Sequence, residues 1–160
     1  MAELTEIGPA FLELAHRIVW CTVATVDAAG RPRSRILHPV WEFDGTRVTG
    51  WIATGPTATK LANLKASPFV SCNYWTPQQD TCVAECAASW VTDDAGKAAV
   101  WDRLKNAPAP VGYDPAMIPG WESSESPGFA GLKLEPWRLR VMPGSAMLDG
   151  QGTLVWQQKT

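Results

Sequence analysis

The sequence predicts a mainly β, α+β domain: an antiparallel barrel or sandwich decorated with helices. Three observations predict it. Short segments rich in β-branched and aromatic residues recur along the chain. Turn clusters separate them, among them 27–32, 44–45 and 76–80. Helical periodicity is confined to three segments placed before, between and after the strands. At 160 residues, 46% hydrophobic and 19% charged, the chain is long enough for one domain with a sizeable core, spanning 1–160.

Residues 5–18 read as an opening helix. Pro9 suits its first turn, and Phe11, Leu12, Leu14, Ala15 and Ile18 form an apolar stripe. "WCTVATV" (20–26) reads as a strand, and 33–43 as a second, long one. The Asp44–Gly45 hairpin signal leads into a third, 47–54. In 55–68, Thr57 is a helix N-cap, Leu61 and Leu64 share a face, and Pro68 is a stop. Strands follow at 69–75 and 81–91, then a helix at 93–106 capped by Thr92 or Asp93. Residues 107–128 carry five prolines and three glycines, which predicts a long ordered loop or lid. Strand resumes at 129–142 with a break at Pro136, and a short hairpin around Asp149–Gly152 is expected to end the chain.

Charge and cysteine usage narrow the function. A net charge of −2 and a pI near 5.6 argue against a general nucleic-acid binder, so any anion site must be local. No apolar run approaches the roughly 18–20 residues of a membrane span. The N-terminus lacks the basic and small-residue signature of a secretory signal, so the protein is expected in the cytoplasm. On a strand, Cys82 and Cys86 would lie roughly 13 Å apart, too far for one metal ion or one disulfide. The four cysteines are therefore expected to be small buried side chains, and no metal is expected.

Against that acidic background, "RPRSRILHPVWEF" (31–43) concentrates Arg31, Arg33 and Arg35 in one segment. On a continuous strand Arg33, Arg35, Leu37, Pro39 and Trp41 share a face. Two arginines on such a face need solvent or an anionic partner, and a phosphate matches the guanidinium fork. Downstream, "ATGPTATKLANL" puts Thr57, Thr59 and Lys60 at a helix start, where free N–H groups and the helix dipole favour an anion. The P-loop spacing is absent. Together the two segments suggest one phosphate gripped from two elements.

The ordered set "VATVDAAGRPRSRIL", "GWIATGPTATKLANLKASPFVSCNY" and "LEPWRLRV" resembles the pyridoxamine 5'-phosphate oxidase-like flavin split-barrel superfamily, over about residues 10–142. General-stress-type flavoproteins and deazaflavin F420-dependent reductases belong to the same superfamily. The resemblance implies a six-stranded antiparallel split barrel and a homodimer with two cofactor sites at its interface. It implies that Arg35 grips a cofactor phosphate; Arg33 is a further cofactor-binding candidate, and neither it nor Arg31 is assigned to a particular anionic group. Ile36 and Leu37 would lie against the ring, and Ala53 and Thr54 would line the cofactor from the next strand. Thr59 and Lys60 match the basic pair at the helix start, and Thr81 falls where a partner-subunit glutamine reaches the ring. Trp51 is a candidate wall of a flat pocket.

The departures from the family are as informative. Val40 stands where the vitamin-B6 oxidases keep a substrate-binding lysine. "AMLDG" replaces their C-terminal arginine–histidine motif, and Arg140 replaces a late tryptophan. Vitamin-B6 oxidation is therefore not expected. The cofactor expected is FMN, favoured by "RSRIL"; F420 is the alternative, and haem, bound by some members of the fold, is less favoured. The implied function is an oxidoreductase moving hydride to or from a small flat organic substrate, the cofactor carrying the chemistry. The alternative is a weakly catalytic or non-catalytic flavin- or haem-binding stress protein. His38 is the titratable candidate near the ring, with a hydrogen-bonded structural histidine as its alternative. Tyr113 and Trp121 of the 107–128 loop are candidate substrate contacts.

Overall fold

Alternating burial builds the sheet. Along β1 (Cys21–Val26) every second residue points inward, as do Val70, Cys72 and Tyr74 of β5 (Phe69–Trp75) and Cys82, Ala84, Cys86 and Ala88 of β6 (Thr81–Val91). The computed structural model describes residues 1–159. The remaining strands are β2 (Pro32–Leu37), β3 (Val40–Phe43), β4 (Val48–Thr54), β7 (Ala130–Met142) and β8 (Leu154–Gln157). The helices are α1 (Leu4–Ile18), α2 (Ala58–Ala66), α3 (Asp94–Asn106) and the single turn α4 (Ala146–Asp149). All strand pairs are antiparallel, in the order β2-β1-β5-β6-β7-β4-β3, with β8 added on β7. The sheet's two outermost strands, β2 and β3, are neighbours in the chain, joined by His38–Pro39 alone. The sheet therefore curls until its edges meet, the α+β split-barrel architecture that the sequence predicts.

Five expectations are corrected. Residues 33–43 are not one strand: the segment breaks at His38–Pro39, β2 pairing with β1 and β3 with β4. Pro39 has no N–H to offer a ladder and restricts His38 before it, so the chain leaves one edge and joins the other. Six expected strands become eight, because this one divides and β8 is added. The C-terminus is not a local hairpin: α4 turns the chain so that Leu154–Gln157 pairs with Arg138–Val141 of β7. Pro9 lies in the second turn of α1 rather than its first, because that helix begins at Leu4. The strand break expected at Pro136 is a register shift opposite Glu85–Cys86, within a continuous β7.

Two apolar clusters hold the fold. Ile7, Phe11, Leu14 and Ala15 of α1 plug the barrel against Trp41, Ile52, Tyr74, Leu134 and Leu139. The buried Trp41 indole meets Phe11 edge-on at 5.0 Å, and its Nε1 donates to the Tyr74 hydroxyl at 2.7 Å. Gly50 opposite is the only residue type that fits there, since a Cβ would stand 2.6 Å from the Trp41 ring. His16 Nε2 accepts the Trp41 backbone N–H at 2.9 Å, a structural role. The second cluster packs Val100 and Leu104 of α3 against Val40, Ala53, Val111 and Phe129. All four cysteines are buried and unbridged. Cys21 and Cys72 share a hydrogen bond, and with burial it pushes the Cys21 thiol far up.

Tyr74→Phe leaves the buried Trp41 N–H without an acceptor. It is expected to cost about 1–3 kcal/mol in urea unfolding, the desolvation cost of an orphaned donor.

Candidate functional site

The β1–β2 hairpin sets Arg35 opposite Val23 and Arg33 opposite Thr25, so both arginines lie on the inward side of β2. Their partners differ. Arg33 is mostly exposed and its Nε lies 3.8 Å from Asp27, which also takes Arg31 at 3.0 Å. Arg35 is drawn inward: Nη1 and Nη2 both donate to Thr25 Oγ1 at 3.0 Å. Asn63 Nδ2 donates to the same oxygen at 3.2 Å. Thr25 and Asn63 are buried, so a hydroxyl that the Asn63 amide itself holds fixes the guanidinium without neutralising it.

Lys60 approaches from α2. Its Nζ donates to Thr54 Oγ1 and, at 3.2 Å, to the Gly55 carbonyl. Thr57 caps the helix as expected, its Oγ1 accepting the Lys60 N–H at 3.4 Å. The inward face of α2 is not the one that the leucines suggest. Asn63 and Leu64 are buried and Lys60 is half-buried, whereas Leu61 is 42% exposed. The helix is turned so that its polar residues reach the barrel mouth. Among the described residues neither Arg35 nor Lys60 pairs with a carboxylate. Burial lowers both pKa values, and the Arg35 charge lowers that of Lys60 further. Two half-buried cations that repel each other, held by neutral hydroxyls, form a site lacking its anion.

Arg35 and Lys60 border one small cavity together with Leu37 and Ile52. Leu37 also borders a second cleft of about 340 Å³. The floor of that cleft is Ile36, Leu37, His38 and Ala53; its cover is Tyr113, Met117, Ile118 and Trp121. Trp20 stands at its side, placed by a γ-turn in which its N–H donates to the Ile18 carbonyl at 2.9 Å. The turn holds Val19 at φ 73°, strained for a β-branched residue. His38 lies between two rings, with Trp20 at 5.0 Å and Tyr113 stacked at 4.9 Å. Burial lowers its pKa, a backbone hydrogen bond with Val111 acting the other way. Its Nε2 is buried without a partner.

The 107–128 loop is ordered by its own bonds. Tyr113 N–H donates to the Leu104 carbonyl at 3.0 Å, Trp121 Nε1 to the Gly128 carbonyl at 2.7 Å, and Lys97 Nζ to the Ser126 carbonyl at 3.3 Å. Gly112 allows its close return, since a Cβ would stand 1.8 Å from the Ala107 carbonyl oxygen.

The structure thus gathers Arg35, Ile36, Leu37, His38, Ala53, Thr54 and Lys60 around two adjoining cavities. Four expected residues are elsewhere, Arg33 among them, held at the surface beside Asp27. Trp51 is stacked under Arg103 at 4.3 Å and donates to Glu42 at 3.0 Å, away from the cleft. Thr59 is exposed on the first turn of α2. Thr81 starts β6 opposite Met142, at the far end of the sheet from Thr54, which pairs with Ala130. Thr25, Asn63 and Trp20 are site residues that the sequence reading missed. Thr25 was within reach, because alternation puts it on the face of Cys21 and Val23.

The family model described as "Pyridoxamine 5'-phosphate oxidase" matches residues 7–142. The chain belongs to the pyridoxamine 5'-phosphate oxidase family. A protein related to general stress protein 26 from Clostridium acetobutylicum shares its fold, with a TM-score of 0.70 at 13% identity over 96% of this chain and 94% of that one. A pyridoxamine 5'-phosphate oxidase-related, FMN-binding protein from Nostoc punctiforme has a TM-score of 0.66 at 16% identity over 100% and 98%. A structure described as an F420 reductase has a TM-score of 0.57 at 17% identity over 81% and 94%. No curated protein matches the sequence. No described helix is long and apolar enough to cross a membrane.

Two outcomes follow from the electrostatics. Arg35→Gln removes one of two repelling cations. It is expected to leave ligand-free stability unchanged or higher while abolishing a phosphate-induced rise in Tm. For the native protein that rise is about 3–6 °C at ten times the phosphate Kd. Burial also lowers the pKa values of both His16 and His38, so the unfolded chain takes up protons first as pH falls. Stability is therefore full above pH ~6.5 and declines below it. His38→Phe is expected to flatten that decline in a series of melts from pH 7.5 to 5.

Proposed function

We propose that the protein is a flavin-type oxidoreductase that binds FMN and moves hydride to or from a small flat organic molecule, the whole chain acting as one cofactor-binding domain. One observation carries this reading: two half-buried cations without a carboxylate, Arg35 and Lys60, adjoin an aromatic-covered cleft across Leu37. The charge of Arg35 and Lys60 suits a phosphate and the cleft of about 340 Å³ suits a flat apolar ring; the void of about 10 Å³ that the two cations border is itself too small for a phosphate. Arg35 and Lys60 would hold the phosphate, steered by Thr25, Asn63 and Thr54. Ile36, Leu37 and Ala53 would lie against the ring. When bound, FMN supplies the hydride-transfer chemistry. The chain's own part is to orient the ring, exclude water beneath Tyr113 and Trp121, and present His38 as a neutral imidazole.

FMN is favoured over F420 by the pairing of Arg31 and Arg33 with Asp27. Haem is disfavoured because neither histidine offers a free ligand nitrogen at the surface: His16 accepts a backbone N–H and His38 is enclosed by rings. Val40 is buried in apolar packing, and the cleft offers no lysine for a vitamin-B6 phosphate.

A homodimer in the cytoplasm accompanies this reading. Ile36, Trp20, Phe69 and Trp75 are more than half exposed, an apolar surface suited to a second copy. A second copy would also bring its own Thr81 towards a shared site.

The test is a visible spectrum after incubation with FMN, F420 or haem and removal of free ligand. FMN is expected to remain bound in near-equimolar amount, and the protein to run as a dimer by light scattering. Retention of F420 or haem in its place would refute the assignment. Binding without reduction of any acceptor would leave a flavin-binding protein that is not an enzyme.

A further inference from the structure

Lys97 is the one charged side chain that is buried among the described residues, at 8% exposure. It lies on the stripe of α3 that also buries Val100 and Leu104, where an apolar side chain is the ordinary choice. Its Nζ donates to a neutral acceptor, the Ser126 carbonyl, at 3.3 Å. Among the described residues no carboxylate pairs with it. A buried cation held by a carbonyl loses more solvation than it regains, and an apolar side chain of like size is often neutral or stabilising in such a place. Packing therefore does not account for Lys97.

Its partner does. Ser126 is itself buried, and its carbonyl also accepts the Phe129 N–H at 3.0 Å. Its hydroxyl accepts the Ser123 N–H at 3.1 Å and donates to Glu122 at 3.2 Å. Two residues on, the Gly128 carbonyl accepts Trp121 Nε1 at 2.7 Å, and Trp121 meets Phe129 edge-on. The same Gly128 oxygen abuts Gly55, where a Cβ would stand 3.4 Å from it, and the Gly55 carbonyl accepts Lys60. The turn at 126–129 thus touches the cation end of the site through Gly55 and the aromatic cover through Trp121. Lys97 ties that turn to α3.

We propose that Lys97 is a positioning residue, whose bond to Ser126 sets the Trp121 cover over the cleft at a cost in stability. The ligand beneath the cover rests on the flavin reading; the tie between α3 and the cover does not.

Lys97→Met keeps the length of the side chain and removes the donor, and the Ser126 carbonyl still has Phe129 N–H as a partner. In the flavin-free protein, hydrogen–deuterium exchange at the Ser126 and Phe129 amides is expected to quicken about tenfold, with Val100 and Leu104 of α3 unchanged. The Tm is expected to equal the native value or exceed it. With FMN bound, the flavin is expected to dissociate about threefold faster. A variant that melts lower or does not fold would make Lys97 a packing residue and overturn the proposal. Unchanged exchange at the two amides, or native FMN dissociation despite quickened exchange, would overturn it as well. Failure of the native protein to take up FMN would instead overturn the flavin reading, and exchange in the flavin-free protein would still decide the role of Lys97.

Discussion

Pro39 has no backbone N–H, and the rest of the structure depends on that gap. A continuous strand through 33–43 would extend one edge of the sheet and leave the barrel open. Broken at His38–Pro39, the same segment supplies both edge strands, β2 and β3, and ties them within two residues. The break also places the site. Arg35 and Leu37 remain on the β2 side, Val40 and Trp41 enter the core on the β3 side, and His38 is left at the seam beneath Tyr113.

The seam explains why charge and apolar surface sit so close without mixing. Arg35 belongs to a hairpin whose other strand offers Thr25, and Lys60 belongs to a helix start whose neighbours offer Thr54 and Gly55. These acceptors are neutral. They orient the cations and leave their charge available for a ligand. Asp27, by contrast, pairs with the exposed Arg31 at 3.0 Å and lies 3.8 Å from the exposed Arg33. Thus one segment with three arginines carries two kinds of site: a surface ion-pair cluster of little energetic weight and a half-buried anion grip.

Much of this was legible in the residues. The strands at 69–75 and 81–91, the Thr57 cap and the loop at 107–128 follow from local chemistry, as does the pairing of Arg35 with Lys60. What local chemistry could not reveal lies in tertiary contacts. Periodicity treats Pro39 as one weak position on a strand, whereas pairing partners decide that it is a switch between edges. The leucine pattern aimed α2 by Leu61 and Leu64; the bonds of Lys60 and Asn63 turned it by one residue. Trp51 looked like a pocket wall because it is aromatic and near Ala53. Its partners, Glu42 and Arg103, the latter far off in sequence, hold it elsewhere. The sequence predicts a local hairpin at the C-terminus because no residue there marks pairing with β7, although β7 itself is evident as a strand.

The central claim is that Arg35 and Lys60 grip a phosphate whose attached ring lies across Leu37. Comparison of FMN with riboflavin, which differ by that phosphate alone, tests it most directly. Quenching of flavin fluorescence on titration with the protein gives both dissociation constants. The account predicts that FMN binds about 100-fold more tightly than riboflavin, as two charge-assisted contacts would supply, and that Arg35→Ala removes most of the difference. Equal affinity for the two flavins, or a preference for FMN that survives Arg35→Ala, would contradict it.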